Sequence, residues 1–377
     1  MKNIIKMSLV AAVAVAGLTS NVSAQPLEEA IKNVDISGTM VYRYNDYSDA
    51  VFTNTKTKTD NNYKIAASLK SKVNDYVTAT VRVVTGTGIT DNSGSFATLS
   101  TINNGDANPT LQVSQANFTV KTDYATVIAG KQGLTTPWTV AIDSDSNEQT
   151  GTGLLALVPA GPVTVAAAYF NQTNVGAGTG NIATVGVLGA AGPVSFDAWY
   201  LDLKNGFNTY TLGAKAKLGV VTAELRYADL DLDTATTDNN IVIAKVGAKV
   251  DAFSAYLQYG ITDKQGGTTA LDSDAQTTMT GWNTNIHGKT DANYLRVGAG
   301  MDVMSGLNVS LNYADLSYKT GANNINDNDE SELFTQITHK MGKNLVTYVR
   351  YGTYDVEQNG VETVDALAGR LQVEYKF

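Results

Sequence analysis

The sequence ends with Ala366-Leu-Ala-Gly-Arg-Leu-Gln-Val-Glu-Tyr-Lys-Phe377, a segment in which apolar and polar side chains alternate. In an extended chain, one face of this segment carries Gly369, Leu371, Val373, Tyr375 and Phe377. The other face carries Arg370, Gln372, Glu374 and Lys376. A period of two residues indicates a β-strand with one apolar face and one charged face. This strand continues to the last residue, an aromatic one, which is uncommon in soluble domains.

The same alternation recurs along most of the chain. It is clearest at Val221/Ala223/Leu225/Tyr227, Val242/Ala244/Val246/Ala248, Phe253/Ala255/Leu257/Tyr259 and Leu307/Val309/Leu311/Tyr313. Tight turns such as Asn74-Asp75 and Ser305-Gly306 alternate with longer loops rich in Asn, Asp, Thr and Gly. This arrangement predicts an all-β transmembrane antiparallel β-barrel of about 18 strands, with short periplasmic turns and long extracellular loops. The alternative is a soluble β-sandwich, which has no physical reason to place short connections at one end of its strands and long connections at the other.

The two ends of the chain fit the same prediction. Lys2 and Lys6 precede a short apolar run that ends in small residues at Ala24, as in a secretory signal peptide. We therefore predict a signal peptide over residues 1–24 and a single barrel domain over residues 25–377. Because a barrel in lipid must close, the last strand should pair with the first. Tyr375 and Phe377 are the predicted assembly signal of the barrel.

The composition excludes several other classes of protein. The chain has no cysteine, which removes disulfide scaffolds and thiol nucleophiles. Its two histidines, His287 and His339, lie far apart, so we expect no catalytic site and no enzyme activity. The net charge of −9 argues against nucleic-acid binding, which favours a basic surface.

One loop, within residues 131–152, differs from the others in carrying its own apolar residues. Trp138, Val140 and Ile142 are followed by the acidic residues Asp143, Asp145 and Glu148. We predict that this loop folds inward and forms the constriction of the pore; the alternative is an ordinary surface loop with solvated acids. A weaker hypothesis is that the three carboxylates hold a divalent cation such as calcium; no other cofactor is expected.

Basic side chains of the strands form the other predicted side of the constriction. All have the sequence parity that faces the lumen, and all but Arg43, which lies somewhat higher, are at a similar distance from the short turns. They are Arg43, Arg82, Arg226, Lys245, Arg296, Arg350 and Arg370, with Lys64 on the strand between Arg43 and Arg82. A basic wall facing an acidic loop would create a transverse field that orients dipolar solutes. The alternative is that these charges are simply solvated in a wide lumen.

Several segments resemble the major outer membrane porins of the Campylobacter type. They are Pro26–Lys32, Val34–Gly38 and Tyr42–Tyr44 near the start, Val127–Gln132, Trp138, Ala141–Asp143 and Gly151–Gly153 around the constriction loop, and the closing Leu371–Phe377. The resemblance implies an 18-stranded general diffusion porin, trimeric and inclined to pass cations. It also implies that Asp143 lies in the constriction loop.

The leading hypothesis is therefore a passive porin of the bacterial outer membrane for ions and small hydrophilic solutes. Its expected partners are membrane lipid, lipopolysaccharide and two further copies of the chain. Alternatives are a substrate-specific channel and a barrel that acts mainly as an adhesin or structural anchor. Total charge and Asp143 favour weak cation selectivity, while the arginines favour anions.

Overall fold

A computed structural model describes residues 34–49, 58–86, 97–98, 110–143, 148–175, 180–234 and 237–377. Within these ranges the chain forms a closed antiparallel barrel of 18 strands. The predicted barrel is thereby confirmed. The predicted signal peptide and Asp145 lie outside the described residues.

The wall strands follow one another around the barrel in chain order. They are β1 Val34–Asp49, β2 Lys58–Lys72, β3 Val77–Gly86, β4 Thr110–Lys121, β5 Thr126–Gly133, β6 Thr150–Ala160, β7 Val163–Thr173, β8 Ile182–Ala191, β9 Val194–Leu203, β10 Phe207–Leu218, β11 Val221–Leu232, β12 Asp238–Val250, β13 Phe253–Thr262, β14 Thr290–Met304, β15 Leu307–Thr320, β16 Asn326–Met341, β17 Leu345–Gln358 and β18 Val361–Lys376. A two-residue segment, Ala97–Thr98, pairs with β2 beside β3.

The barrel closes where the sequence predicts, by antiparallel pairing of β18 with β1. The last residue completes this seam: the Gly38 amide donates to the Phe377 carbonyl at 2.8 Å, and the Phe377 amide donates back at 3.1 Å. A Cβ atom on Gly38 would lie 2.5 Å from the Phe377 ring, so only glycine fits there. Tyr375 and Phe377 stack with ring centroids 5.9 Å apart.

The outer face of the wall is apolar, as the alternation predicts. Leu257, Val246 and Leu311 each expose 46–54% of their side chains outward, where lipid would cover them. Within the described ranges the structure contains no helix long and apolar enough to cross a membrane.

The connections are less asymmetric than predicted. The turns on the periplasmic side are tight, as at residues 161–162, 192–193 and 251–252. On the other side, however, residues 204–206 and 359–360 also form tight turns, and the connection predicted over 319–329 is only 321–325. The last connection is short because β15 and β16 remain paired as far as Thr320 and Asn326, further outward than the polar composition of these strand ends suggests.

Candidate functional site

The connection between β5 and β6 packs inside the barrel. Trp138 and Leu134 are 0% and 1% exposed, in one apolar cluster with the lumen-facing Phe170 and Leu201. Their burial supplies the hydrophobic free energy that holds the loop against the wall. Ile142, by contrast, is 63% exposed. The predicted apolar patch of Trp138, Val140 and Ile142 therefore does not pack as one unit, because Trp138 is buried and Ile142 lies on the surface of the loop.

Buried charges fix the far end of the same loop. Glu148 accepts hydrogen bonds from Arg82 on β3 through both carboxylate oxygens, at 2.9 Å for the Nε–Oε2 pair. Lys64 on β2 lies 3.8 Å from Glu148 and donates to the main-chain oxygen of Asp143 at 2.6 Å. All three charged side chains are at most 5% exposed. Two residues of the predicted basic wall thus hold the acidic loop directly.

A second inward loop, residues 263–289, is one of the connections that the sequence predicts to be long extracellular loops. Leu271 donates its amide to the Trp138 carbonyl at 2.9 Å, so this loop lies on the first one. The backbone amides of Trp282 and Asn283 donate to Glu332 of β16 at 2.8 and 2.6 Å. These contacts hold the second loop against the first loop and against β16.

Apolar side chains beneath this second loop give the reason for its position. Met279 and Ile286 of the loop are buried against Ile241 and Ile243 of β12, both 0% exposed. The run Ile241-Val-Ile243 is apolar on both faces of its strand, which a water-filled lumen would not favour. That run was the available sequence signal for a loop covering the lumen wall. Burial in the same loop lowers the pKa of His287 below its ordinary value.

Three carboxylates from the two loops lie close together. Oxygen atoms of Asp143, Asp272 and Asp274 are all within 4.8 Å of one another, near enough to share a cation. Glu148 is instead engaged by Arg82, so the predicted set of Asp143, Asp145 and Glu148 is not the one that the described residues bring together. Asp272 and Asp274 were missed because only folding places their loop beside Asp143.

The predicted basic wall divides into two groups by the partners of its charges. In one group each cation faces a carboxylate: besides Arg82 and Lys64, Arg226 is paired with Asp197 at 2.8 Å and Lys245 with Glu224 at 3.4 Å. Arg226 also donates to Gln276 of the second loop at 2.9 Å. Each cation of this group is therefore balanced by a carboxylate close to it.

In the second group a neutral amide oxygen anchors each guanidinium. The pairs are Arg43 Nε–Gln372 at 2.8 Å, Arg296 Nη1–Gln258 at 3.1 Å, Arg350 Nε–Gln336 at 2.8 Å and Arg370 Nε–Asn45 at 2.7 Å. An amide fixes the orientation of an arginine but leaves its charge intact. These four amide contacts therefore bring no negative charge to the guanidinium groups.

Arg350 and Arg370 stand directly opposite each other on β17 and β18. The indole of Trp282, from the second inward loop, lies 5.1 Å from the Arg350 guanidinium carbon and 5.8 Å from that of Arg370. Phe334 and Tyr348 approach Arg350 to 4.7 and 5.3 Å. Aromatic faces so placed attract the cations and restrict their movement.

Comparison with known proteins agrees with this architecture. Residues 1–177 match the family of the Campylobacter major outer membrane protein. The predicted resemblance is confirmed over that range, which contains the first inward loop. The chain is a porin of the bacterial outer membrane. No curated protein matches the chain at a significant level.

Solved structures of similar fold are porins of low sequence identity. Acinetobacter baumannii OccAB3 is 13% identical with a TM-score of 0.73, over 92% of this chain and 99% of its own. Pseudomonas aeruginosa OccK2 is 13% identical with a TM-score of 0.73, over 92% and 98%. A BenF-like porin from Pseudomonas fluorescens is 13% identical with a TM-score of 0.71, over 92% and 99%. At this identity the likeness concerns the fold.

Proposed function

We propose that this porin is a general diffusion channel for ions and small hydrophilic solutes, with an aperture set by two inward loops. The observation that carries the proposal is the anchoring of the first loop inside the lumen. Trp138 fixes one end by burial, and the contacts of Arg82 and Lys64 with Glu148 fix the other. A barrel of this size otherwise encloses a wide aqueous channel, so the loops control passage.

The charges at the aperture have opposite signs on different elements. Asp143, Asp272 and Asp274 belong to the loops, whereas the amide-anchored arginines belong to the wall strands. Such an arrangement gives a field across the pore that orients dipolar solutes and disfavours long apolar ones. The acidic chain, at −9, together with the loop carboxylates favours weak selectivity for cations.

We further propose a homotrimer in contact with outer-membrane lipid and lipopolysaccharide, with residues 1–24 removed as a signal peptide. The exposed apolar band, including Leu257 and Leu311, supports insertion in lipid. Tyr375 and Phe377 would serve barrel assembly from the closing strand. The family resemblance supports the assembly of three copies of the chain into a homotrimer.

The proposal is tested by recording purified, folded protein in a planar bilayer under a salt gradient. We expect stepwise openings in groups of three and a reversal potential of the sign for cation passage. A reversal potential of the sign for anion passage would show that the arginines, and not the loop carboxylates, determine the ion selectivity of the pore. Folded protein that conducts no current would overturn the proposal and favour the alternative, a surface anchor or adhesin.

A further inference from the structure

Lys131 is a cation on the outer face of the barrel wall. It pairs with Thr152 of β6, which in turn pairs with Gln172 of β7. Residues paired across an antiparallel sheet point to the same face. Two residues before Lys131 on β5, Ala129 pairs with Phe118, whose side chain is 57% exposed on the outer face. Lys131, Thr152 and Gln172 therefore face outward as well.

This polar row lies directly beyond the apolar part of the outer wall. The next row toward the periplasm contains Phe118, Ala129, Leu154 and Tyr169, and the row after that contains Val120, Val127, Ala156 and Ala167. A lysine on the lipid-facing side of a barrel is costly at the middle of the bilayer but not near its surface. The polar row thus lies at the level of the lipid headgroups on the extracellular side.

Lys131 lines a polar concavity of about 230 Å³ on this face. The other polar residues that line it are Thr150, Thr152, Gln172, Thr173 and Asn174. Among the described residues, the Lys131 ammonium donates one hydrogen bond, to the Val113 carbonyl at 2.8 Å, and it pairs with no carboxylate. Because an ammonium has three donors, two of them can serve a ligand. A cation surrounded by hydroxyl and amide groups has the chemistry of a phosphate site.

The concavity also joins the two stems of the first inward loop, residues 134–149. Lys131 lies near the end of β5, and Thr150 is the first residue of β6, where it pairs with Gly133. The Leu134 amide closes the loop by donating to the Gln149 carbonyl at 2.8 Å. A ligand that contacts both stems opposes their separation, and it therefore favours the inward position of the loop.

We propose that the phosphate of lipid A in the outer leaflet binds this concavity and stabilises the first inward loop from outside the barrel. The phosphate accepts hydrogen bonds from the Lys131 ammonium and from the hydroxyls of Thr150 and Thr152, as in other basic pockets for anionic headgroups. The acyl chains lie along the apolar rows at Leu154 and Ala156. The effect of this lipid on the aperture rests on the proposed channel function.

Binding is tested by native mass spectrometry of the full-length protein in an uncharged detergent, with lipid A added at increasing concentration. Enzymatically dephosphorylated lipid A is the ligand control. Lys131→Gln removes the charge and should weaken binding of the first lipid about tenfold, whereas Lys131→Arg should bind nearly as the unchanged chain does. Lys319→Gln is the matched control, because Lys319 of β15 also lies at the extracellular end of the wall but is paired with Asp327.

The effect on the loop is tested by amide hydrogen exchange of residues 134–143, with and without lipid A. We expect lipid A to slow the exchange in the unchanged chain and in Lys319→Gln, and to have no effect in Lys131→Gln. Inorganic phosphate at the same concentration should protect these amides much less, because it makes no contact with the apolar rows below the site.

Four results would overturn the proposal. Equal binding of lipid A by the unchanged chain and Lys131→Gln would remove the site, and equal losses in Lys131→Gln and Lys319→Gln would show a response to surface charge alone. Lipid A binding without slower exchange would remove the link to the loop. Protection by inorganic phosphate equal to that by lipid A would remove the assignment to a lipid.

Single-channel conductance of the same preparations tests the channel function separately. Protein that binds lipid A through Lys131 but conducts no ions would keep the lipid site and lose the channel. Protein that conducts ions but binds lipid A no better than its dephosphorylated form would keep the channel and lose the lipid site.

Discussion

Arg82 holds Glu148 through both carboxylate oxygens, and both side chains are almost completely buried inside the barrel. The pair joins a wall strand, β3, to the first inward loop. Lys64, 3.8 Å from the same carboxylate, adds a second buried cation. A buried ion pair contributes modestly when complete, but removing one partner leaves an uncompensated charge in the interior.

Replacing Glu148 by alanine should therefore release the loop. Loss of the carboxylate beside the buried Arg82 should cost about 3–5 kcal/mol of the free energy that holds the loop. We expect higher and noisier single-channel conductance together with a lower unfolding temperature. Asp75→Ala is the control, because its pair with Lys72 is exposed and should contribute less than about 1 kcal/mol. Unchanged conductance in Glu148→Ala would mean that the pair does not position the loop.

Trp138 and Ile142 test the apolar anchor of the same loop. Trp138→Ala removes a fully buried side chain and should cost about 3–5 kcal/mol, whereas Ile142 is largely exposed and its change to alanine should have little effect. Protease accessibility of the loop and the size of neutral sugars admitted into liposomes report its position. Similar results for both variants would contradict the anchoring role of Trp138.

Gly38 and Phe377 test the closing seam. Gly38→Ala places a methyl group 2.5 Å from the Phe377 ring and 2.3 Å from the Ala66 carbonyl oxygen, so the seam must open or shift. We expect a smaller yield of the heat-modifiable folded barrel on gel electrophoresis. Gly369→Ala, on the adjacent strand, meets its nearest atom at 3.7 Å and should fold like the unchanged chain. Normal folding of Gly38→Ala would show that the seam adapts to the extra methyl group.

Asp143 and Asp272 test the origin of ion selectivity. Changing either to asparagine removes a negative charge from the carboxylate cluster and should shift the reversal potential toward anions. The shift should shrink as salt rises from about 0.1 M to about 1 M, since the screening length falls from about 10 Å to about 3 Å. Asp123→Asn, in an exposed periplasmic turn, should not change the potential. A shift equal to that of the Asp123 control would place the selectivity elsewhere.

The alternation of apolar and polar residues was sufficient to predict the strands of the barrel wall. The alternation at Leu371, Val373 and Tyr375 predicts which face meets lipid, because a strand places successive side chains on opposite sides. The apolar residues near Trp138 also predict a loop that needs a surface to pack on. Both inferences depend on neighbours in sequence.

The sequence by itself determined the closed antiparallel wall and its two faces, since both follow from the two-residue period of the strands. Tertiary structure alone decided the second inward loop, the meeting of Asp143 with Asp272, and the division of the arginines into carboxylate-paired and amide-anchored groups. Those contacts join residues far apart in the chain. Strand register and loop packing decide which partner a charged side chain contacts. The position of the residue in the sequence does not reveal that partner, and so it does not reveal whether the charge is balanced.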